Sequence, residues 1–345
     1  MGAASETQKV NIRVGILTAP HIEYELREHS FVLKNVRIGI GFHWDRHEDQ
    51  EFAGTLEIRD NPDGTQTAIN TIELEDYLCS VISSEMSANS PMELLKAHAV
   101  ISRSWAMRAM MKPNHEGFDV CADDHCQRYE GLRRMNERAV EAVRATAGQV
   151  LTYDGEICDC RYYKCCGGRT EVWRTCWEDI DVPYIQSVQC DYCKQPSPAI
   201  LRLVLNDYDR ETKDFRDWTV RYTADELSEI IRTKSGIDFG EIIDLVPLKR
   251  GASGRIYELQ IVGTKHTEII GKELKIRLWL SKSCLYSSWF EVHHENGVWT
   301  LAGHGWGHGA GLCQIGSAVM ASEGKKYEDI LRYYYVGSQL STPAL

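Results

Sequence analysis

The sequence predicts an α+β fold of two lobes, each combining sheet and helix. The chain has 345 residues, which is too many for one small core and enough for two lobes. Segments with strand periodicity and segments with helix periodicity both occur, but they do not alternate as the strand–helix–strand units of a parallel sheet would. The content of hydrophobic residues, 43%, and of charged residues, 26%, is that of an ordinary globular protein.

The N-terminal part, residues 8–72, is predicted to be a small β-rich segment. Residues 10–17 form its first predicted strand. From residue 31 to residue 72, short β-type runs alternate with turn signals, of which Asn-Pro-Asp-Gly at residues 61–64 is the clearest. We interpret this stretch as a β meander.

A helical region is predicted next, over residues 73–193. Five apolar side chains recur at helix spacing on one face: Leu74, Tyr77, Leu78, Val81 and Ile82. Glu85 occupies the next position of that face. A carboxylate on an apolar helix face is partly desolvated, and desolvation favours the protonated form that a general acid needs. The alternative is an ordinary solvated glutamate at a helix end.

A second helix is predicted to begin at Ser90. Ser90 can cap it, and Glu93 lies three residues further on, where its carboxylate can bond back to the cap. Lys96 and Arg103 are seven residues apart on this helix and therefore share a face. If that face meets Glu85, two cations lie near its carboxylate. Otherwise they bind substrate oxygens or face water.

The remaining elements are predicted from periodicity and from helix-end signals, and residues 194–345 are predicted to form a C-terminal α+β part. The second helix is expected to end near residue 111. The later predictions are helices over 136–147, 224–233, from about 314 and from about 327, and strands over 149–153 and within 246–270. The helix over 224–233 is predicted to begin with a capping box of Thr223 and Glu226. The helical and C-terminal regions are expected to form one integrated unit over about residues 74–340.

Charge and hydropathy limit the possible functions. The net charge of −11 argues against a nucleic-acid partner, because phosphate binding needs a basic face. No apolar run is long enough to span a bilayer. The first residues contain neither a basic nor an apolar region of a signal peptide. The protein is then either cytoplasmic, or exported by a signal or anchor that this sequence does not include.

A metal site is predicted in the loop after the second helix. His115, Cys121, His125 and Cys126 lie within twelve residues of one another. Two thiolates and two imidazoles satisfy a closed tetrahedral zinc site, which is structural because it leaves no position for a reactive water. The alternative is a Cys121–Cys126 disulfide with two surface histidines. No organic cofactor is predicted.

Seven further cysteines crowd one stretch of the chain: Cys158, Cys160, Cys165, Cys166, Cys176, Cys190 and Cys193. Such clustering favours local disulfides or metals over a global disulfide framework. Cys176, Cys190 and Cys193 could form a second metal site with Cys165 or Cys166, or one or two disulfides, and the spacing does not decide between them. The remaining three cysteines stand alone: Cys79, Cys284 and Cys313.

Two long segments resemble the signatures of the stage II sporulation protein D and amidase enhancer family. The first covers residues 77–86 and 91–104 and contains Glu85, and the second is the Gly/His-rich segment at 303–314. Ser-Gly-Arg at residues 253–255 and the three tyrosines that follow Arg332 resemble lesser motifs of the same family. Together these segments extend over most of the chain.

The resemblance implies roles for individual residues. Glu85 matches the catalytic glutamate of the family, and Lys96 and Arg103 match positions in its active-site cleft. The Gly/His-rich loop is expected to line a glycan-binding cleft. The polar contacts expected from this loop and from the later tyrosine motif are His304, His308, Gln314 and Tyr334. A structural glycine-rich turn with ordinary histidines is the alternative for the loop.

The chain departs from the family pattern at Lys164 and Cys166, where serines usually stand. The resemblance therefore does not predict how this wall of the cleft contacts sugar. Some family members carry zinc in a loop comparable to residues 115–126, which agrees with the predicted zinc site.

The resemblance further implies an exported enzyme, in the periplasm or at the cell surface, that acts on peptidoglycan glycan strands. It would cleave the β-1,4 bond between N-acetylmuramic acid and N-acetylglucosamine and leave a 1,6-anhydro sugar. The alternative is a non-catalytic protein of the amidase-enhancer type, which binds cell-wall glycan or activates a cell-wall amidase.

Overall fold

The computed structural model describes residues 10–42, 45–123, 125–206, 209–212 and 214–343. Within these ranges it has nine α-helices and eighteen strands in six small sheets, which confirms the predicted α+β class. The strands are β1 (Asn11–Ala19), β2 (Tyr24–Leu26), β3 (Ser30–Ile38), β4 (Arg46–Ala53), β5 (Thr55–Asp60), β6 (Gln66–Glu73), β7 (Val120–Cys121), β8 (Val150–Tyr153), β9 (Glu156–Ile157), β10 (Tyr162–Tyr163), β11 (Asp217–Thr223), β12 (Ile242–Arg250), β13 (Ile256–Gly263), β14 (Thr267–Ile270), β15 (Phe290–Glu295), β16 (Val298–His304), β17 (Leu312–Cys313) and β18 (Gln339–Ser341). The helices are α1 (Leu74–Glu85), α2 (Met92–Met111), α3 (Glu137–Ala145), α4 (Trp173–Cys176), α5 (Pro198–Val204), α6 (Ala224–Ser235), α7 (Glu273–Trp279), α8 (Gln314–Ser322) and α9 (Tyr327–Tyr334).

Two sheets form the N-terminal part. One has the order β5-β6-β1-β7, in which β1 is antiparallel to β6 and parallel to β7. The other has the order β2-β3-β4 and is antiparallel throughout. The predicted first strand is confirmed as β1. The predicted meander is divided between the two sheets, because β3 and β4 belong to one sheet while β5 and β6 belong to the other.

Helices α1 and α2 lie in the larger of two hydrophobic cores. This first core collects apolar side chains from residues 12–215 and 306–335. The predicted apolar face of α1 is buried, and Tyr77, Leu78, Val81 and Ile82 have no exposed surface. Burying such a face against a neighbouring helix supplies most of the stability of a short helix.

The start of α2 differs from the prediction. Its N-cap residue is Pro91, and no side chain caps the helix. The Ser90 hydroxyl instead donates to the carbonyl of Leu203 at 3.3 Å. The Glu93 carboxylate accepts from the backbone N–H of Tyr327 at 2.9 Å and from the Lys96 ammonium at 3.0 Å. The predicted capping box at Ser90 is therefore wrong, because distant partners occupy both side chains.

The second core is built by residues 218–301 alone. It combines the sheets β11-β16-β15 and β12-β13-β14 with the helices α6 and α7. Helix α6 begins with a capping box in which Thr223 and Glu226 bond reciprocally, as its sequence predicts. It ends at Gly236, whose φ of 74° is the left-handed conformation that favours glycine.

The chain returns to the first core after the second core is complete. Strand β17 pairs in parallel with β10, and the predicted helices near residues 314 and 327 are confirmed as α8 and α9. Within the described ranges, no helix combines the length and the apolar character needed to cross a membrane.

Candidate active site and metal centres

Glu85 is the last residue of α1 and is half-buried. Its Oε1 accepts a hydrogen bond from the Tyr162 hydroxyl at 2.9 Å and another from the backbone N–H of Arg128, also at 2.9 Å. Two donors on one oxygen hold the carboxyl group in a fixed orientation and stabilise its ionised form. The burial of the Tyr162 hydroxyl and the Glu85 charge beside it raise the pKa of this phenol well above its ordinary value.

A buried ion pair lies behind Glu85. The Lys164 ammonium donates to the Glu85 backbone carbonyl at 2.5 Å and contacts the Asp209 carboxylate at 2.6 Å. Asp209 has no exposed surface, and Lys164 is also buried. Lys164, which departs from the family pattern, thus contacts the main chain of the predicted catalytic residue.

A neutral histidine supports the same pocket from α2. His98 has no exposed surface, and its Nδ1 lies 3.0 Å from the Ser102 hydroxyl. The Gln314 amide lies 3.1 Å from His98 Nε2, and the Tyr162 ring packs edge-on at 4.3 Å between centroids. Burial, reinforced by the Lys164 charge, lowers the pKa of His98 to about 3. The imidazole is therefore uncharged at neutral pH.

His308 also contacts Tyr162. The backbone N–H of Ala310 donates to His308 Nδ1 at 3.1 Å, so Nε2 carries the proton and donates to the Tyr162 carbonyl at 2.9 Å. Burial, followed by the charge of Arg161, lowers the pKa of His308 well below its ordinary value. The predicted glycan contacts His308 and Gln314 thus bond the residues that surround Glu85.

The other predicted contacts bind partners away from Glu85. The Arg103 guanidinium is buried and forms a bidentate salt bridge with the Glu75 carboxylate, in which both N–O distances are 2.7 Å. Lys96 pairs with Glu93. His304 is exposed, with its Nδ1 2.7 Å from an oxygen of Asp217. Arg103 thereby joins α1 to α2, and it does so inside the fold.

Tyr334 is buried, and its hydroxyl lies 3.2 Å from the Cys190 sulfur. The structure places this predicted glycan contact against the cysteine cluster described below.

The predicted zinc ligands come together. The ligand atoms of His115, Cys121, His125 and Cys126 all lie within 4.8 Å of one another. Cys126 Sγ is 3.1 Å from His115 Nε2 and 3.6 Å from His125 Nδ1. Both cysteines are free thiols. Two thiols and two imidazoles converging on one point fit the donor set and the four-coordinate geometry of a closed zinc site.

A second group of four cysteines is fully buried. The Sγ atoms of Cys166, Cys190, Cys193 and Cys313 also lie within 4.8 Å of one another. We call these residues the four-cysteine group. Cys176 lies outside it, with its thiol directed at the His308 carbonyl at 3.5 Å. All twelve cysteines lie among the described residues, and each is a free thiol.

The sequence did not predict several contributors to these sites. Tyr162 lies two residues before Lys164, in the segment already noted for its departure from the family pattern, so that segment held a usable signal. Arg128 acts through its backbone N–H, which no side-chain pattern reveals. Cys313 stands alone in the sequence and joins the four-cysteine group only through the fold.

Comparisons with known proteins match two parts of the chain. A family model described as Stage II sporulation protein matches residues 62–153, and a domain of unknown function, DUF8618, matches residues 171–311. The chain is 31% identical over 276 residues to an uncharacterised protein of Brachyspira hyodysenteriae, an alignment that covers 79% of this chain and 68% of that protein.

Two relatives carry functional names. The chain is 28% identical over 291 residues to stage II sporulation protein D of Bacillus subtilis, covering 79% of this chain and 76% of that protein. It is 26% identical over 295 residues to the amidase enhancer of the same organism, covering 77% of this chain and 40% of that protein. The chain therefore belongs to the stage II sporulation protein D and amidase enhancer family.

Proposed function

We propose that this protein is a lytic transglycosylase of peptidoglycan glycan strands. It cleaves the β-1,4 bond between N-acetylmuramic acid and N-acetylglucosamine and leaves a 1,6-anhydro-N-acetylmuramic acid end. Membership of the family supports a cell-wall-related role. The observation that carries the specific reaction is the half-buried carboxyl of Glu85, oriented by the Tyr162 hydroxyl and the Arg128 N–H.

One carboxyl group is sufficient for this chemistry. Glu85 donates its proton to the glycosidic oxygen while the bond from that oxygen to C1 of N-acetylmuramic acid breaks. The 6-hydroxyl of the same sugar then attacks C1, and its proton passes to the Glu85 carboxylate. Glycoside hydrolases need a second carboxylate because they add water or form a covalent intermediate. Here the substrate supplies the nucleophile, and Glu85 returns to its starting state.

The surroundings of Glu85 suit the carboxylate stage of the reaction. The two donors on Oε1 stabilise the carboxylate that remains after the first proton transfer. Tyr162 is held in turn by the His308 ring, which bonds its carbonyl, and by edge-on packing with the His98 ring. We assign His98, His308 and Gln314 to positioning Tyr162. We assign the sugar contact to His304, whose ring is exposed beside Trp289.

The Cys2His2 group, consisting of His115, Cys121, His125 and Cys126, is proposed to hold a structural zinc ion. The loop that carries it leads directly into Arg128, whose N–H orients Glu85. The zinc would stabilise this loop, because formation of such a site is coupled to local folding. The reaction itself uses the side chain of Glu85 and the hydroxyl of the substrate.

Glu85→Gln tests the proposal. It preserves size and much of the hydrogen bonding but cannot donate and recover a proton. Loss of a positioned general acid/base costs about 10²- to 10⁴-fold in rate, and since one group serves both steps here, we expect the upper end. The measurement is the yield of 1,6-anhydro ends from purified glycan strands by mass spectrometry. Glu141→Gln, the same change on the exposed side of α3, is the matched control.

Three results would contradict the proposal in different ways. Normal turnover by Glu85→Gln would remove this residue from the mechanism. Products with ordinary reducing ends would identify water as the nucleophile. Glycan binding without cleavage by the unmodified protein would favour the alternative function, a protein that binds wall glycan or activates an amidase. The similarity to an amidase enhancer supports that alternative. Either function places the protein outside the cytoplasm, in the periplasm or at the cell surface.

A further inference from the structure

The four-cysteine group has no role in the proposed reaction, yet it brings four thiols together inside the first core. We propose that Cys166, Cys190, Cys193 and Cys313 bind one zinc ion as a structural site of four thiolates. This site is additional to the Cys2His2 group. It draws its ligands from three separate parts of the chain: the segment after β10, the turn at Asp191–Cys193 and the start of α8.

The spacing of the sulfur atoms fits one ion. Zinc–thiolate bonds of about 2.3 Å in a tetrahedron place the sulfurs about 3.8 Å apart; the four Sγ atoms lie within 4.8 Å of one another, with Cys166 and Cys193 2.9 Å apart. An iron–sulfur cluster needs a wider arrangement, because its own iron and sulfide atoms stand between the cysteines. Zinc also suits a buried site of soft ligands with no open position.

Backbone N–H groups are directed at two of the sulfurs. The Gly168 N–H donates to Cys166 Sγ at 3.3 Å, and the Gly316 N–H donates to Cys313 Sγ at the same distance. Cys313 is also the N-cap of α8, where the helix dipole favours negative charge. These donors stabilise negative charge on the sulfur atoms. A zinc site contains charged thiolates and needs such donors, whereas four neutral thiols do not.

The backbone around the group leaves no space for a larger residue. A Cβ atom added at Gly316 would lie 3.0 Å from Cys190 Sγ, 3.3 Å from Cys313 Sγ and 2.4 Å from the Tyr334 hydroxyl. The first turn of α8 thus wraps closely around the sulfur atoms, as it must if the backbone is to donate to bound thiolates.

The proposed ion has a consequence for the pocket of Glu85, and this part alone depends on the proposed function. Tyr162 and Lys164, which contact Glu85, lie just before Cys166, while Gln314 directly follows Cys313. Zinc bound between these cysteines would fix both segments against each other. The four-cysteine group therefore acts as a positioning element for the Glu85 pocket.

Zinc content of the purified protein tests the site without any glycan. Cys313→Ala should lose one zinc per chain relative to the unmodified protein, and Cys126→Ala should lose the other. Cys79→Ala is the matched control, because Cys79 is a buried thiol of α1 outside both groups. An unchanged zinc content in Cys313→Ala would overturn the proposal, as would a stoichiometric Cys166–Cys193 disulfide or the presence of iron with sulfide.

Cobalt substitution of the unmodified protein provides a measurement that does not depend on a variant's folding. The two groups together offer six thiolates, four in one and two in the other. The thiolate-to-cobalt absorption of the unmodified protein should correspond to six. Cys313→Ala should release the ion with four thiolate ligands, so the absorption should fall by about two thirds. Cys126→Ala should release the ion with two thiolate ligands, so the absorption should fall by about one third. Absorption from only two thiolates in the unmodified protein would overturn the proposal. If the unmodified protein binds both zinc ions but does not cleave glycan, the proposed four-thiolate site stands and only the proposed function is contradicted.

Discussion

The two hydrophobic cores differ in what they bury. The first core surrounds ionised and sulfur-containing groups, including the Arg103–Glu75 pair, the Lys164–Asp209 pair and the four-cysteine group. The second core is assembled from apolar side chains of one continuous segment, residues 218–301. Buried charge is costly unless it is paired, and both regions hold it, since the second-core segment buries the Arg277–Glu273 pair and Arg255. What distinguishes the first core is the four-cysteine group and the pocket of Glu85.

The largest expected effect comes from the first core. Arg103→Met leaves Glu75 and the carbonyls of Val143 and Gln149 without the guanidinium that they contact. Glu75 is partly exposed, so the loss comes mainly from the two carbonyls that lose a donor, at about 1–3 kcal/mol each, and chemical denaturation measures it.

The matched comparison for Arg103→Met is Arg232→Met, which removes the exposed pair with Glu229 in the second-core segment. Exposed pairs of this kind are worth about 1 kcal/mol or less. Equal losses in the two variants would show that burial does not increase the contribution of an arginine–glutamate pair in this protein.

The second core should respond to a cavity. Leu259 lies in the central strand β13 and has no exposed surface. Leu259→Ala should destabilise the protein by about 2–5 kcal/mol, since a buried leucine loses its transfer energy and leaves a void. At temperatures where the variant remains folded, we expect zinc content and anhydro-sugar formation to stay unchanged. A variant that folds but loses zinc would show that the cores are not independent.

Acid should weaken the first core in particular. His98 has a pKa of about 3 in the folded protein because of its burial, whereas an unfolded histidine titrates near 6.5. The unfolded chain then binds more protons between these values. The stability contribution of His98 is complete above pH 6.5 and is lost as the pH falls toward 3, at up to about 1.4 kcal/mol per pH unit.

Denaturation midpoints measured at several pH values check this slope. His98→Gln should be less stable at neutral pH but should show a shallower loss in acid than the unmodified protein. His293→Gln, on the exposed side of β15 in the second-core segment, should keep the original slope. An unchanged slope in His98→Gln would assign acid sensitivity to other groups.

Local signals predicted the elements whose partners are also local. The apolar face of α1 and the capping box of Thr223 and Glu226 were predicted because each depends on residues within a few turns of helix. The ligands of the Cys2His2 group were predicted for the same reason. The capping box at Ser90 failed because Glu93 bonds instead to Tyr327, 234 positions away in the sequence.

Long-range partners account for the rest of the site. Cys313 approaches Cys166 only because β17 pairs with β10, and no local pattern specifies that pairing. Tyr162 reaches Glu85 across 77 positions of sequence. Periodicity shows that a side chain is buried, but it does not show which distant group it meets.

The return of residues 306–335 to the first core also sets an order of events during synthesis. The second core is continuous in sequence, so it can be completed while the ribosome is still adding the end of the chain. The first core cannot be completed until β17 and α8 emerge and close a loop that contains the entire second core. Contacts between such distant residues form slowly. We therefore expect the nascent chain to pass through a stage in which residues 218–301 are folded while the pocket of Glu85 is still open.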